Sequence, residues 1–171
     1  MKYIFLVFAL LQISCTELDD IAYDQFTLYK QFQYTGQIKM DGEYWAYDSA
    51  NNANLFIILY RDGSYHRGGI TRNNNIECMR IAENVRSVGW WWGFFNIENK
   101  TIDFQTIDPE SINRNSKYQV KELRGELLND STFIQFNNEL PGNVITIDTF
   151  YFRQCNNKPD SLNVILKNIG S

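Results

Sequence analysis

The chain has 171 residues, with 16 basic and 20 acidic side chains for a formal net charge of −4. That length suits one domain around a single core. An acidic chain without a basic run is a poor partner for nucleic acid, whose affinity rests on neutralised phosphates, and it lacks the polybasic patch that draws proteins to anionic membranes. The single histidine, His66, excludes a multi-histidine metal centre, and no zinc-type ligand spacing is present.

Lys2 is followed by the apolar run of residues 4–11, the charged and hydrophobic regions of a secretory signal. The run is too short to cross a bilayer as a helix, which takes about 20 apolar residues. Gln12-Ile13-Ser14-Cys15 then follows. A small residue before a cysteine at the end of such a run resembles a lipobox, with Gln12 standing where a leucine-type residue is usual. The resemblance implies cleavage after Ser14 and acylation of Cys15, which anchors a domain without inserting it. The alternative is an ordinary signal with a free cysteine nearby. Thr16-Glu17-Leu18-Asp19-Asp20 resembles the surface-export tethers of Bacteroidetes-type lipoproteins, or is a solvated linker. Thr16 does not match the aspartate of inner-membrane retention, so an outer-membrane lipoprotein is expected, on its periplasmic or surface face. The expected division is a signal over 1–14, a lipidated cysteine and tether over 15–32, and one domain over 33–171.

The mature part reads as strands and turns. Twelve Phe, ten Tyr and four Trp lie in short runs with β-branched residues, separated by Asn, Asp and Gly. A first strand is predicted over 42–47. The run over 55–60 meets Asp62-Gly63, a hairpin turn signal, and returns through 64–67. Residues 76–85 have helical spacing. A second hairpin joins 91–97 to 101–107 through Glu98-Asn99-Lys100, with Ile102, Phe104 and Thr106 on one face and Thr101, Asp103 and Gln105 on the other. A third joins 118–128 to 132–136 at Asn129-Asp130, and 144–152 supplies one more strand. Asp160 after Pro159, with Leu162, Ile165, Leu166 and Ile169, predicts a short closing helix, or else an extended tail.

About eight strands joined as successive hairpins predict a mainly β protein, an antiparallel meander barrel or a sandwich with one or two short helices. At this point the chain resembles the lipocalin-like small secreted lipoproteins of Bacteroidetes type. The resemblance covers 34–161. It rests on Tyr34-Thr35-Gly36, Asp41-Gly42-Glu43-Tyr44-Trp45, the 55–63 hairpin, Trp92-Gly93, the stretch 125–131, and Lys158-Pro159-Asp160-Ser161. It implies a lipocalin-like β-barrel. Trp45 stands three residues after Gly42, where the strict lipocalin signature has two.

No phosphate loop, dinucleotide fingerprint or nucleophile elbow occurs, and His66 in an alternating strand reads as a wall residue, so neither catalysis nor a cofactor is expected. Trp90-Trp91-Trp92 is the most distinctive run. It reads as a sugar-stacking platform, as the wall of a ligand cavity, or as plain core. The candidate wall of a cavity is Tyr44, Trp45, Phe56, Ile58, Trp90, Trp92, Phe104, Phe133 and Phe136. Arg61, Arg67, Arg80, Arg86 and Arg153 are available to a bound acid, though solvated charges are the default. With Cys15 given to lipid, Cys78 and Cys155 are free to form a disulfide in an oxidising compartment. The leading expectation is a lipid-anchored barrel binding a small apolar or amphipathic ligand. The rivals are a carbohydrate-binding surface module and a structural or partner-binding envelope protein.

Overall fold

The computed structural model describes residues 23–48, 53–71, 92–107, 118–137 and 146–155. Eight strands form one closed antiparallel barrel in which each strand pairs with the next and the last returns to the first. They are β1 (Gly42–Asp48), β2 (Ala53–Leu59), β3 (Ser64–Thr71), β4 (Trp92–Glu98), β5 (Thr101–Ile107), β6 (Val120–Asn129), β7 (Thr132–Asn137) and β8 (Thr146–Gln154). Closure is made by β1 against β8, with Tyr44 opposite Phe152 and Trp45 opposite Tyr151. This is the mainly β, lipocalin-like barrel expected from the hairpin order. The two predicted helices, over 76–85 and after Asp160, lie outside the described residues.

Three tight turns share one end of the barrel. Gly63 takes φ +81°, a left-handed conformation that glycine adopts without a Cβ clash. The Asp62 carboxylate accepts from the Ser64 amide at 2.9 Å. Asn99 and Lys100 carry φ of 48° and 71°, the handedness that matches hairpin twist. Asn129 accepts from the Ser131 amide at 2.8 Å.

The N-terminal segment seals this end. Ile38 and Met40 are buried in the same core as the inward side chains, and Phe32 packs on Phe95 at 4.7 Å. The Tyr44 hydroxyl donates between the Lys39 carbonyl at 2.9 Å and the Asp130 carbonyl at 3.2 Å. The stretch read as a tether is described from Tyr23 onward, and there it packs on the outer wall of β4 and β5. Phe26 is buried edge-on against Phe94 at 5.3 Å. Gln105, on the same wall, accepts from the amides of Thr27 and Leu28 at 2.8 and 3.0 Å.

Inside, rings fill the axis. Phe133 stacks on Phe150 at 5.0 Å and also meets Tyr44 at 5.1 Å and Phe104 at 5.8 Å. Tyr65 meets Phe104 edge-on at 5.2 Å. Each such pair contributes about 0.5–1.5 kcal/mol beyond simple burial. Phe133 is the hub of this cluster and fully buried. Phe133→Ala should therefore cost about 3–5 kcal/mol in urea unfolding. Leu128→Ala, at a site 51% exposed, should stay within about 0.5 kcal/mol.

Candidate functional site

The lumen changes character along its axis. Near the tight turns it is aromatic and aliphatic. Toward the opposite end the inward positions become polar, and one cross-strand row carries the change. Tyr65 on β3 lies opposite Gly93 on β4, Gly93 opposite Thr106 on β5, and Thr106 opposite Lys121 on β6. A Cβ at Gly93 would sit 2.5 Å from Cε1 of Tyr65. The missing side chain on β4 is what lets the phenol lie across that strand toward Thr106.

Tyr65 and Thr106 are each 1% exposed. Apart from one another, their hydroxyls have no hydrogen-bond partner among the described residues. Two buried hydroxyls can satisfy at most one donor between them, and an unmet buried polar group costs about 1–3 kcal/mol. Arg67, two residues beyond Tyr65 on the inward side of β3, is close enough for its charge to favour phenolate. Lys121 is half-buried at the end of the row. Across the lumen, Asp48, Gln135 and Asp148 follow Ala46, Phe133 and Phe150 on the inward sides of β1, β7 and β8. Donors therefore gather on the β3–β6 wall and carboxylates on the other. Among the described residues no group of three or more His, Cys, Asp or Glu is arranged to hold a metal ion.

The residues predicted to line a cavity divide between two faces. Tyr44, Phe104 and Phe133 point inward and are part of the packed plug. Trp45, Phe56, Ile58, Trp92 and Phe136 alternate to the outer wall, by the same register. Trp90 lies outside the described residues, as do Cys15 and Cys78. On the outer wall Trp45, Phe56, His66 and Trp92 form a chain of neighbouring rings, at 5.9, 6.0 and 4.8 Å. His66 is buried between Phe56 and Trp92 as a wall residue. Arg153 is more than a solvated charge. It bonds the 1%-exposed Glu43 through Nε at 3.0 Å and through Nη2, and its guanidinium lies 4.4 Å over the Trp45 ring.

The polar row was missed because its members are chemically ordinary one by one. Thr106 was placed on the face of Ile102 and Phe104, and that shared face already put its hydroxyl in the lumen. An open groove of about 490 Å³ also runs along β5 and β6, bordered by Leu28, Asp103, Glu122, Arg124 and Phe136. Its rim holds the Asp103–Arg124 ion pair at 2.7 Å, an exposed pair of small energetic weight. Cys155, just past β8, is buried and disulfide-bonded, and its amide donates to the Asp41 carbonyl. The partner cysteine lies outside the described residues. No protein family, curated protein or solved structure matches the chain.

Burial pushes the Tyr65 phenol above its ordinary value of 10.0, opposed by the charge of Arg67 and the Thr106 hydroxyl. Burial raises Tyr44 likewise, reinforced by the charges of Asp130 and Asp41. Both folded values exceed the unfolded one, so the folded state holds these protons more tightly. That stability is fully present below pH 10 and is lost as pH rises toward the folded values. In an alkaline titration, the tyrosinate absorbance of Tyr44 and Tyr65 should grow only together with loss of the near-ultraviolet dichroism. Tyrosinate absorbance that Tyr44→Phe and Tyr65→Phe each reduce while the dichroism persists would contradict the burial assigned to Tyr44 and Tyr65.

Proposed function

We propose that this chain is an outer-membrane lipoprotein, anchored through Cys15, whose barrel binds a small amphipathic ligand from its polar end. It is a binding protein rather than an enzyme. The observation that carries the reading is the Tyr65–Gly93–Thr106–Lys121 row, with its two buried hydroxyls where the lumen turns from apolar to polar. An apolar pocket with a few convergent polar groups is the usual form of a small-molecule site. Here the head of the ligand would take the Tyr65 and Thr106 hydroxyls, with Arg67 and Lys121 favouring negative charge. Its short apolar part would rest on the ring cluster around Phe104. The cluster fills the sealed half of the lumen, so the ligand is small and shallowly held.

Native mass spectrometry of the mature protein from its host envelope should show an added mass that departs under mild activation. In reconstitution, dodecanoate should bind more tightly than dodecanol. Thr106→Val with Lys121→Ala should weaken dodecanoate about tenfold, the scale of a lost hydrogen bond to a charged group, and weaken dodecanol less. A clean apo mass after incubation with host lipids would replace this reading with a filled barrel acting through its surface.

The same reading pairs Cys155 with Cys78, which leaves Cys15 for lipid. Non-reducing peptide mapping of the envelope-derived protein should recover a Cys78–Cys155 peptide and an acylated N-terminal cysteine. A Cys15–Cys155 bridge would remove the anchor.

A further inference from the structure

The N-terminal segment runs the height of the barrel wall before it enters β1. Gln25 marks the far end of that run. Its side-chain carbonyl accepts from the Val120 amide at 2.9 Å, and its Nε2 donates to Oε1 of Gln119 at 2.7 Å. Val120 is the first residue of β6 and lies opposite Ile107, the last of β5, so both stand at the polar end, away from the tight turns. Further along, Gln105 accepts from the amides of Thr27 and Leu28, and Phe26 and Tyr29 each pack on Phe94 at 5.3 Å. Phe32 then packs on Phe95, and it lies so close to the turn after β2 that a Cβ at Gly63 would sit 2.7 Å from it. The Lys39 amide donates to the Asp130 carbonyl in the β6–β7 turn at 2.9 Å. The segment thus descends from the polar end to the sealed base.

This course fixes where a lipid on Cys15 would hold the barrel. Eight residues carry the chain from Cys15 to Tyr23. Fully extended, they reach about 28 Å. The ten residues of β6 rise about 30 Å along the strand and, at ordinary barrel tilt, about 23 Å along the axis. Were the base turned to the bilayer, the tether would have to run back over nearly that whole height. It would be stretched close to its limit, and near-full extension forfeits most of the conformations of a free chain. With the polar end turned to the bilayer, the tether stays slack. Peeling the segment from the wall to lengthen the tether would expose Phe26, which is 1% exposed, and break both bonds to Gln105.

We propose that the polar end of the barrel faces the bilayer in which Cys15 is anchored, opening the lumen onto that leaflet. The inference rests on the reading of Cys15 as lipidated and deepens the reading of the lumen by naming the source of its ligand. An amphipath leaving the leaflet meets the Tyr65–Thr106 row without crossing bulk water. The sealed base points away from the lipid.

The test uses the acylated protein from its host envelope, reconstituted in phosphatidylethanolamine and phosphatidylglycerol vesicles that carry a nitroxide-headgroup lipid. A fluorophore is placed at Ile147→Cys, 57% exposed near the polar end of β8, or at Leu128→Cys, 51% exposed near the base on β6. The Ile147→Cys label should be quenched several-fold more than the Leu128→Cys label. A Gly/Ser insertion after Asp20 that doubles the tether should shrink this difference, because the barrel is then free to turn. Equal quenching of the two labels overturns the orientation while the anchor stands. Stronger quenching of the Leu128→Cys label does the same and places the base or the β4–β5 wall on the lipid. A Cys15 found without acyl groups overturns the anchor and the orientation together. The expected quenching in a protein that binds no dodecanoate upholds the orientation and removes the lumen ligand alone.

Discussion

Closure of the sheet between β1 and β8 is the constraint from which the other features follow. A closed sheet forces every side chain onto one of two faces, and the interior of an eight-stranded barrel is just wide enough for side chains to fill or for one small ligand. This chain carries more aromatic residues than that lumen accepts. Tyr44, Tyr65, Phe95, Phe104, Phe133 and Phe150 occupy it, and the surplus goes outside. Part of the surplus is buried on the outer wall, as in the Phe56–His66–Trp92 sequence of rings and in Phe94 beneath Phe26. Part stays in solvent on β8 and β1.

Closure also explains the buried polar groups. The N-terminal segment crosses the barrel's base before entering β1, and its carbonyls need partners there. Tyr44, an inward residue at the start of β1, reaches Lys39 and Asp130 and ties the crossing segment to the β6–β7 turn. Gln105 does the same on the outer wall, spanning Thr27, Leu28 and Glu122 from one side chain. Both groups combine a packing role with a hydrogen-bonding one, so the base behaves as a single unit.

Much of the architecture was legible because hairpins are local. Asp62-Gly63, the Glu98–Lys100 stretch and Asn129-Asp130 sit at the turns, and β6 alternates buried and exposed from Leu123 to Leu128. Facing was legible only where the two sides differ chemically. β5 sets Ile102 and Phe104 against Asp103, and its faces were read correctly. β2 reads Leu55-Phe56-Ile57-Ile58-Leu59, apolar on both sides, so nothing local says that Leu55, Ile57 and Leu59 turn inward. Trp45 and Phe136 were assigned to a cavity on size, yet register rather than size decides the side. The Tyr65–Lys121 row spans four strands with a glycine as its key member, and such a row appears only once the register is known.

The barrel's two ends differ in what holds them together. One base is stoppered by Ile38, Met40 and the tight turns. Changes in the stopper would act on the folding equilibrium of the whole domain. The three longest connections, which follow β3, β5 and β7, join strand ends at the other pole, as does the link after β1. Changes in the longer connections fall at the opposite pole and leave the stopper untouched, so the chain can vary there without disturbing the contacts that hold the base together.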